Sequence, residues 1–236
     1  MNVLELRGVN AFYGESHILH DVDITVPEGD IITLIGRNGA GKTTTLRSIM
    51  GMTDLGDGSI VYRGEDLNDL KTYEISKAGI SFIPEHRGLF QNLTVEENLR
   101  LGSIGHDVGE EFEEGVDRVV RYFPRVKERW NQRAGSLSGG EQQMVAIARG
   151  LVSKPDCLLV DEPTEGLMPS LVDDLAGIFR EINDDGITIL LVEQNVKLSL
   201  EIGDYGYVID EGEIRLEDRC EELLTNESVR EDYLLL

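Results

Sequence analysis

The first residues able to do chemistry lie in the stretch Gly36-Arg37-Asn38-Gly39-Ala40-Gly41-Lys42-Thr43. Its glycines let backbone N–H groups turn inward around an anion, and a helix starting nearby adds partial positive charge. Gly-x4-Gly-Lys-Thr is the spacing of a phosphate-binding (Walker A) loop, in which the lysine reaches the β- and γ-phosphates and the threonine hydroxyl ligates Mg2+. Gly36, Asn38, Gly39, Gly41, Lys42, Thr43 and Thr44 are the expected nucleotide contacts. A second chemical run, Cys157-Leu158-Leu159-Val160-Asp161-Glu162, is apolar and ends in two carboxylates. Such a run brings its acids out at the end of a buried strand, beside the phosphates. Asp161 is expected to hold Mg2+ and Glu162 to polarise an attacking water. A chance glycine turn and an ordinary Asp-Glu-Pro turn are the plain alternatives; the first loses weight because a buried strand precedes the loop and a helix follows it, the second because the glycine loop lies upstream.

The surrounding elements have to put these groups in place. Leu4 and Leu6, then Val22, Ile24 and Val26, alternate with polar residues as half-buried strands do. Ile31–Ile35 is continuously apolar, the pattern of a strand covered on both faces. It leads straight into the glycine loop, which a helix through Leu46 and Ile49 follows. Thr94-Val95-Glu96-Glu97 and Ser138-Gly139-Gly140-Glu141 are capping-box starts of helices. Between them, Phe112, Val116, Val119, Val120 and Phe123 fall at helical spacing, and Pro124 ends that stretch. Residues 88–153 therefore read as a helical subdomain inserted into a core made of residues 1–87 and 154–236. Leu158–Val160 and Ile187–Val192 read as buried strands around a helix carrying Leu171, Leu175, Ile178 and Ile182. An Asp210-Glu211-Gly212 hairpin and short acidic helices complete a single α/β domain with a mainly parallel core sheet, an antiparallel N-terminal portion and a helical insertion.

Composition narrows the partners. The 236 residues carry 22 basic against 45 acidic side chains, a net charge of −23. That surface repels phosphate backbones, so no nucleic-acid partner is expected. No apolar run approaches the roughly 18 residues of a membrane span, and no signal-like segment opens the chain. The expected location is the cytosol, or the cytoplasmic face of a membrane if a partner holds it there. The two cysteines, Cys157 and Cys220, lack metal-ligand spacing, and Cys157 reads as a buried strand residue. With only 6 lysines against that acid excess, the surface suits concentrated salt, although an ordinary acidic protein is the alternative reading.

The Walker pair alone leaves several classes of nucleotidase open. Leu137-Ser138-Gly139-Gly140-Glu141-Gln142-Gln143, placed between the two Walker motifs, resembles the signature of the ABC ATPases. A plain capping box would account for Ser138, Gly139, Gly140 and Glu141 locally; the order of the three motifs favours the family. The resemblance covers essentially the whole chain. It implies a dimer of ATPase domains, homo- or heteromeric, with the signature of one domain closing over the ATP of the other. It also implies that Tyr13 stacks on adenine (a core strand tyrosine is the local alternative), that Glu165-Gly166-Leu167 forms the D-loop, and that ATP and Mg2+ are the cofactors.

Two positions leave the general pattern. Pro84-Glu85 puts a carboxylate where the family usually has glutamine, and Glu193-Gln194-Asn195 puts an amide where a switch histidine is usual. None of the 4 histidines, His17, His20, His86 and His106, falls there. Glu85 is accordingly expected near Mg2+, and Gln194 near the attacking water. Together with Tyr122-Phe123-Pro124-Arg125, Arg133-Ala134-Gly135 and the Val229–Leu234 tail, these departures look like the ATPase subunits of branched-chain amino acid importers. That implies transmembrane permease subunits gripped by the helical subdomain and, indirectly, an extracytoplasmic substrate-binding protein. Glu162-Pro163-Thr164-Glu165-Gly166 is closer to urea and short-chain amide importers, which is the alternative. An exporter ATPase, a non-transport ABC ATPase and a non-hydrolysing nucleotide switch are the more distant readings.

Overall fold

The computed structural model describes residues 1–104 and 110–231; His106 and the last residues of the Val229–Leu234 tail lie outside them. The strands, in chain order, are β1 (Asn2–Tyr13), β2 (Ser16–Pro27), β3 (Ile31–Ile35), β4 (Asp54–Leu55), β5 (Ser59–Tyr62), β6 (Glu65–Asp66), β7 (Ile80–Ile83), β8 (Cys157–Asp161), β9 (Thr188–Glu193), β10 (Tyr205–Asp210) and β11 (Glu213–Arg219). They form two sheets. One is antiparallel with order β2-β1-β5-β6, and β4 pairs with β1 off that path. The other has order β11-β10-β3-β9-β8-β7, parallel throughout except for the terminal β10–β11 hairpin.

Burial follows pairing. Every residue of β3, β8 and β9 is buried, because helices or the other sheet cover both faces of the parallel sheet. Strand β2 instead alternates, with Leu19, Val22, Ile24 and Val26 inside and their neighbours more exposed. The two sheets are stitched by Tyr207: its hydroxyl accepts from the Thr25 N–H at 3.0 Å and donates to the Thr25 carbonyl at 3.3 Å. Between them lies one apolar core, containing Leu4, Leu6, Ile32, Leu34, Leu46 and Ile49.

Ten helices are seen among the described residues: α1 (Lys42–Ile49), α2 (Thr72–Lys77), α3 (Val95–Gly102), α4 (Glu110–Tyr122), α5 (Pro124–Glu128), α6 (Gly139–Leu151), α7 (Pro169–Asp184), α8 (Val196–Ile202), α9 (Cys220–Thr225) and α10 (Glu227–Val229). Helices α3 to α7 share a second core with β7, β8 and β9. Phe112, Val116, Val119 and Phe123 are buried there as the spacing predicts. Each such side chain contributes about 1.5–3 kcal/mol through burial. Pro124 does interrupt the helix, but it also occupies the first turn of α5, where its missing N–H costs nothing. Both predicted capping boxes form: Thr94 caps α3 and Ser138 caps α6. In α7 the buried stripe is Leu175, Phe179 and Ile182, while Leu171 and Ile178 are half-buried, so the inward face is turned slightly from the expected one.

Candidate active site

Strand β3 ends at Ile35, and the chain crosses to α1 over the loop 36–41. A Cβ at Gly36 would sit 2.3 Å from the carbonyl oxygen of Ile209 on neighbouring β10, so only glycine lets the loop leave the sheet here. Gly41 caps α1 with φ +112°, a backbone that L side chains rarely adopt, and it supplies no side-chain acceptor. The first-turn N–H groups are therefore left to an anion. A cavity of about 280 Å3 opens above them, lined by Asn38, Gly39, Gly41, Lys42, Thr43, Thr44, Glu85, Glu162 and Glu165.

Lys42 is buried, and its Nζ donates to the carbonyls of Gly36 at 3.0 Å and Arg37 at 3.1 Å. The same ammonium stands 3.1 Å from Glu162 Oε1. The lysine charge is thus balanced by the carboxylate read as the water-polarising group. Glu162 leaves β8 with φ +45°, a left-handed turn that costs a non-glycine residue roughly 1–2 kcal/mol, and its N–H is held by the Val192 carbonyl at 2.8 Å.

Asp161, the last residue of β8, is 1% exposed, and its Oδ1 accepts from the Thr43 hydroxyl at 3.1 Å. Burial pushes its pKa up to about 6; the Thr43 hydrogen bond opposes this, while the charges of Glu162 and Glu85 add to it. A hydroxyl and an under-compensated carboxylate, with Glu85 close by, are hard oxygen donors suited to Mg2+. They also impose a cost on the empty protein. A carboxyl whose folded pKa is raised stabilises the fold only below its unfolded pKa, near 4, and that stability is lost as pH rises towards 6. Asp161→Asn, which keeps an acceptor for Thr43 without the charge, is thus expected to stabilise the nucleotide-free chain by on the order of 2 kcal/mol at pH 7.5. The gain should shrink by about half at pH 5. Urea unfolding at the two pH values measures it, and equal or lower stability of the variant at pH 7.5 contradicts the assignment.

Gln194 does not line the phosphate cavity. It is exposed on the turn after β9, at a neighbouring cavity of about 580 Å3 that shares Glu162 and Glu165 with the first. Next to it Glu193 is buried, its pKa raised chiefly by that burial, and it accepts from the N–H groups of Thr164 at 2.9 Å and Asn195 at 3.3 Å. Tyr13 also stands apart, at the tip of the β1–β2 hairpin; it is 40% exposed and its hydroxyl accepts from Arg47 at 3.4 Å.

Ser138, Gly139, Gly140 and Glu141 form a separate surface at the start of α6. Ser138 Oγ accepts from the Glu141 N–H at 3.3 Å, and Glu141 Oε2 accepts from the Ser138 N–H at 3.0 Å and hydroxyl at 2.8 Å. These bonds to Ser138, with Arg129 at 2.9 Å, hold the Glu141 pKa at about 2. Ser138 and Gly139 remain exposed, so they face outward rather than towards the phosphate loop of their own chain.

Sequence reasoning missed two arginines. Arg87 donates to Gln143 at 3.1 Å and Gln142 at 3.2 Å. Arg149 of α6 donates to the carbonyls of Gly88 at 2.6 Å and Arg87 at 3.0 Å. Together they tie the loop carrying Glu85 to the signature helix. An arginine on the otherwise apolar Met144–Leu151 stretch was the available signal.

An anion-seeking loop, a lysine and two acids at the end of β8, one strand removed from β3 in the parallel sheet, make this a P-loop nucleoside-triphosphate-hydrolysing core. A family model described as ABC transporter matches residues 19–165. The chain belongs to the ABC transporter ATP-binding family and is an ATPase. It is 44% identical to the high-affinity branched-chain amino acid transport ATP-binding protein BraG of Pseudomonas aeruginosa, over 98% of this chain and 99% of that one. A probable branched-chain amino acid transport ATP-binding protein, LivF of Archaeoglobus fulgidus, is 39% identical over 93% of each chain. The lipopolysaccharide export system ATP-binding protein LptB of Haemophilus influenzae is 32% identical over 99% of this chain and 98% of its own. Among solved structures, the ADP conformation of MJ1267, an ATP-binding cassette of an ABC transporter, superposes with a TM-score of 0.86 at 28% identity over the whole of both chains.

Proposed function

We propose that this chain is the ATP-hydrolysing subunit of an importer for branched-chain amino acids, acting as a pair of cassettes beneath two permease subunits and fed by an extracytoplasmic binding protein. The observation that carries the reading is the end-to-end 44% identity with BraG. In this reading the glycine loop and Lys42 hold the ATP phosphates, and Tyr13 meets the adenine. Thr43 and Asp161, with Glu85, hold Mg2+, which neutralises phosphate charge. Glu162 takes the proton of the attacking water as its oxygen bonds the γ-phosphorus and ADP leaves. Gln194 orients that water through one donated and one accepted hydrogen bond. The exposed Ser138 surface closes over the partner cassette's nucleotide, as the outward orientation of that surface allows.

A route to the membrane is supported by a groove of about 770 Å3 at the junction of the core and the helices. Met52, Tyr73, Phe90 and Ile104 stand exposed along it, with Lys71 and Arg149 beside them. Grouped apolar exposure of this kind marks an interaction surface. In this reading the groove receives a short amphipathic segment of a permease, its apolar face against Met52, Tyr73, Phe90 and Ile104. Among the described residues no helix is long and apolar enough to cross a membrane.

The likeness to LptB supports a second reading, an export ATPase. Uptake decides between them. Cells lacking the chain are expected to lose high-affinity uptake of radiolabelled leucine, isoleucine and valine, and to regain it with the wild-type chain but not with Glu162→Gln. Retained leucine uptake with lost urea uptake would shift the substrate to the amide class. An intact uptake profile with an envelope defect would support export.

A further inference from the structure

We propose that Glu193 is a positioning residue: its two carboxylate oxygens span the turn after β8 and the turn after β9, and so set Gln194 against Glu162. The proposal rests on the reading that Glu162 and Gln194 handle the attacking water.

The geometry is specific. Oε1 accepts from the Thr164 N–H, two residues after Glu162, and Oε2 accepts from the Asn195 N–H, one residue after Gln194. Glu193 is 2% exposed and forms no ion pair among the described residues. Burying a carboxylate without a counter-cation is costly, and a core position that only needed filling would be served by an apolar side chain. What a carboxylate adds is two acceptors on one rigid plane, facing two N–H donors from different loops. Glutamine offers one acceptor and an NH2 group that opposes the second N–H. A further tie crosses the same gap in the same direction as the Thr164 bond, from the Glu162 N–H to the Val192 carbonyl at 2.8 Å.

The two turns are therefore closed into one unit whose outer wall is Thr164 to Leu167. Those residues, Glu162 and Gln194 line the same cavity. In the paired cassettes proposed above, the Glu165-Gly166-Leu167 turn would meet the partner. Glu193 then ties the position of that turn to the position of Gln194.

The test uses the full chain, with steady-state turnover, ATP affinity and thermal unfolding measured for the wild type, Glu193→Gln, Glu193→Asp, Gln194→Ala and the double variant Glu193→Gln with Gln194→Ala. Glu193→Gln is expected to lower kcat about tenfold or more while KM for ATP stays within about twofold, since the bonds align groups that act in the transition state. In the Gln194→Ala background the same change should cost less than about twofold, because residues acting through one another are not additive. Glu193→Asp keeps the charge but is one methylene short of bridging both turns; it should also lose kcat without losing ATP affinity, and it decides the matter if Glu193→Gln does not fold. Wild-type kcat in either Glu193 variant overturns the proposal, as does a full tenfold loss on top of Gln194→Ala. If Gln194→Ala itself hydrolyses ATP at the wild-type rate, the role given to Gln194 falls and this one with it. A slow Gln194→Ala beside a fast Glu193→Gln sinks the Glu193 assignment alone.

Discussion

Glu162→Gln is expected to give a chain that still binds Mg·ATP but whose turnover falls by about 10²-fold or more, the range of a positioned general base. An amide can accept a hydrogen bond from the attacking water but cannot take its proton. The variant also removes the carboxylate charge that stands 3.1 Å from Lys42, so that ion pair no longer competes with the γ-phosphate for the ammonium. ATP should then bind at least as tightly as in the wild type. Nucleotide held without hydrolysis keeps the interface closed, so size-exclusion chromatography with ATP should show a dimer that ADP does not support. Turnover at the wild-type rate removes Glu162 from the role of base. A loss of turnover with no dimer would keep that role and remove the head-to-tail pairing.

The second large effect concerns the surface at α6. Ser138→Arg is expected to abolish hydrolysis while leaving ATP binding to the monomer unchanged, because Ser138 is exposed and does not line the phosphate cavity of its own chain. The change also removes the α6 cap, which costs roughly 1 kcal/mol, too little to unfold a domain of this size. Mixing the variant with a Lys42→Ala chain supplies the decisive control. Each mixed dimer holds one site with an intact loop and an intact opposing serine, and one site with neither. An equimolar mixture should recover roughly a quarter of wild-type turnover if the two sites of the symmetric pair act independently. No recovery in a dimer shown by crosslinking to form would mean that both sites must fire together. ATP binding lost in the Ser138→Arg monomer would place the serine in its own chain's site.

How much of this could be read from sequence depends on how local each cause is. The phosphate loop, the acidic strand end and the two capping boxes are set by residues within a few positions of each other, so their types and spacing carry the geometry. The α7 face was read one step off: Leu171, Leu175, Ile178 and Ile182 make a regular stripe, but contact with the second core selects Phe179. Helix α2 escaped notice because it is only 6 residues long and starts at Lys71, which is no usual cap. Glu193 looked like one more residue of a switch motif, since its partner Thr164 lies 29 residues away. Arg149 meets the Gly88 carbonyl 61 residues back, and that contact depends on how α6 crosses the strand-to-helix loop. Such pairings are products of topology and leave no local trace.

The two arginines on that loop have a mechanical consequence. Residues 84–90 run from Glu85 at the phosphate cavity to Phe90 on the apolar groove, and the middle of the run is fastened to α6 rather than to the sheet. Guanidinium-to-carbonyl bonds hold direction as well as distance, and an arginine cannot shed its charge to escape them. The segment is therefore held at its middle by α6, where Arg87 and Gly88 both turn through left-handed backbone. A shift of α6 would thus move the support of Glu85 and the support of Phe90 together.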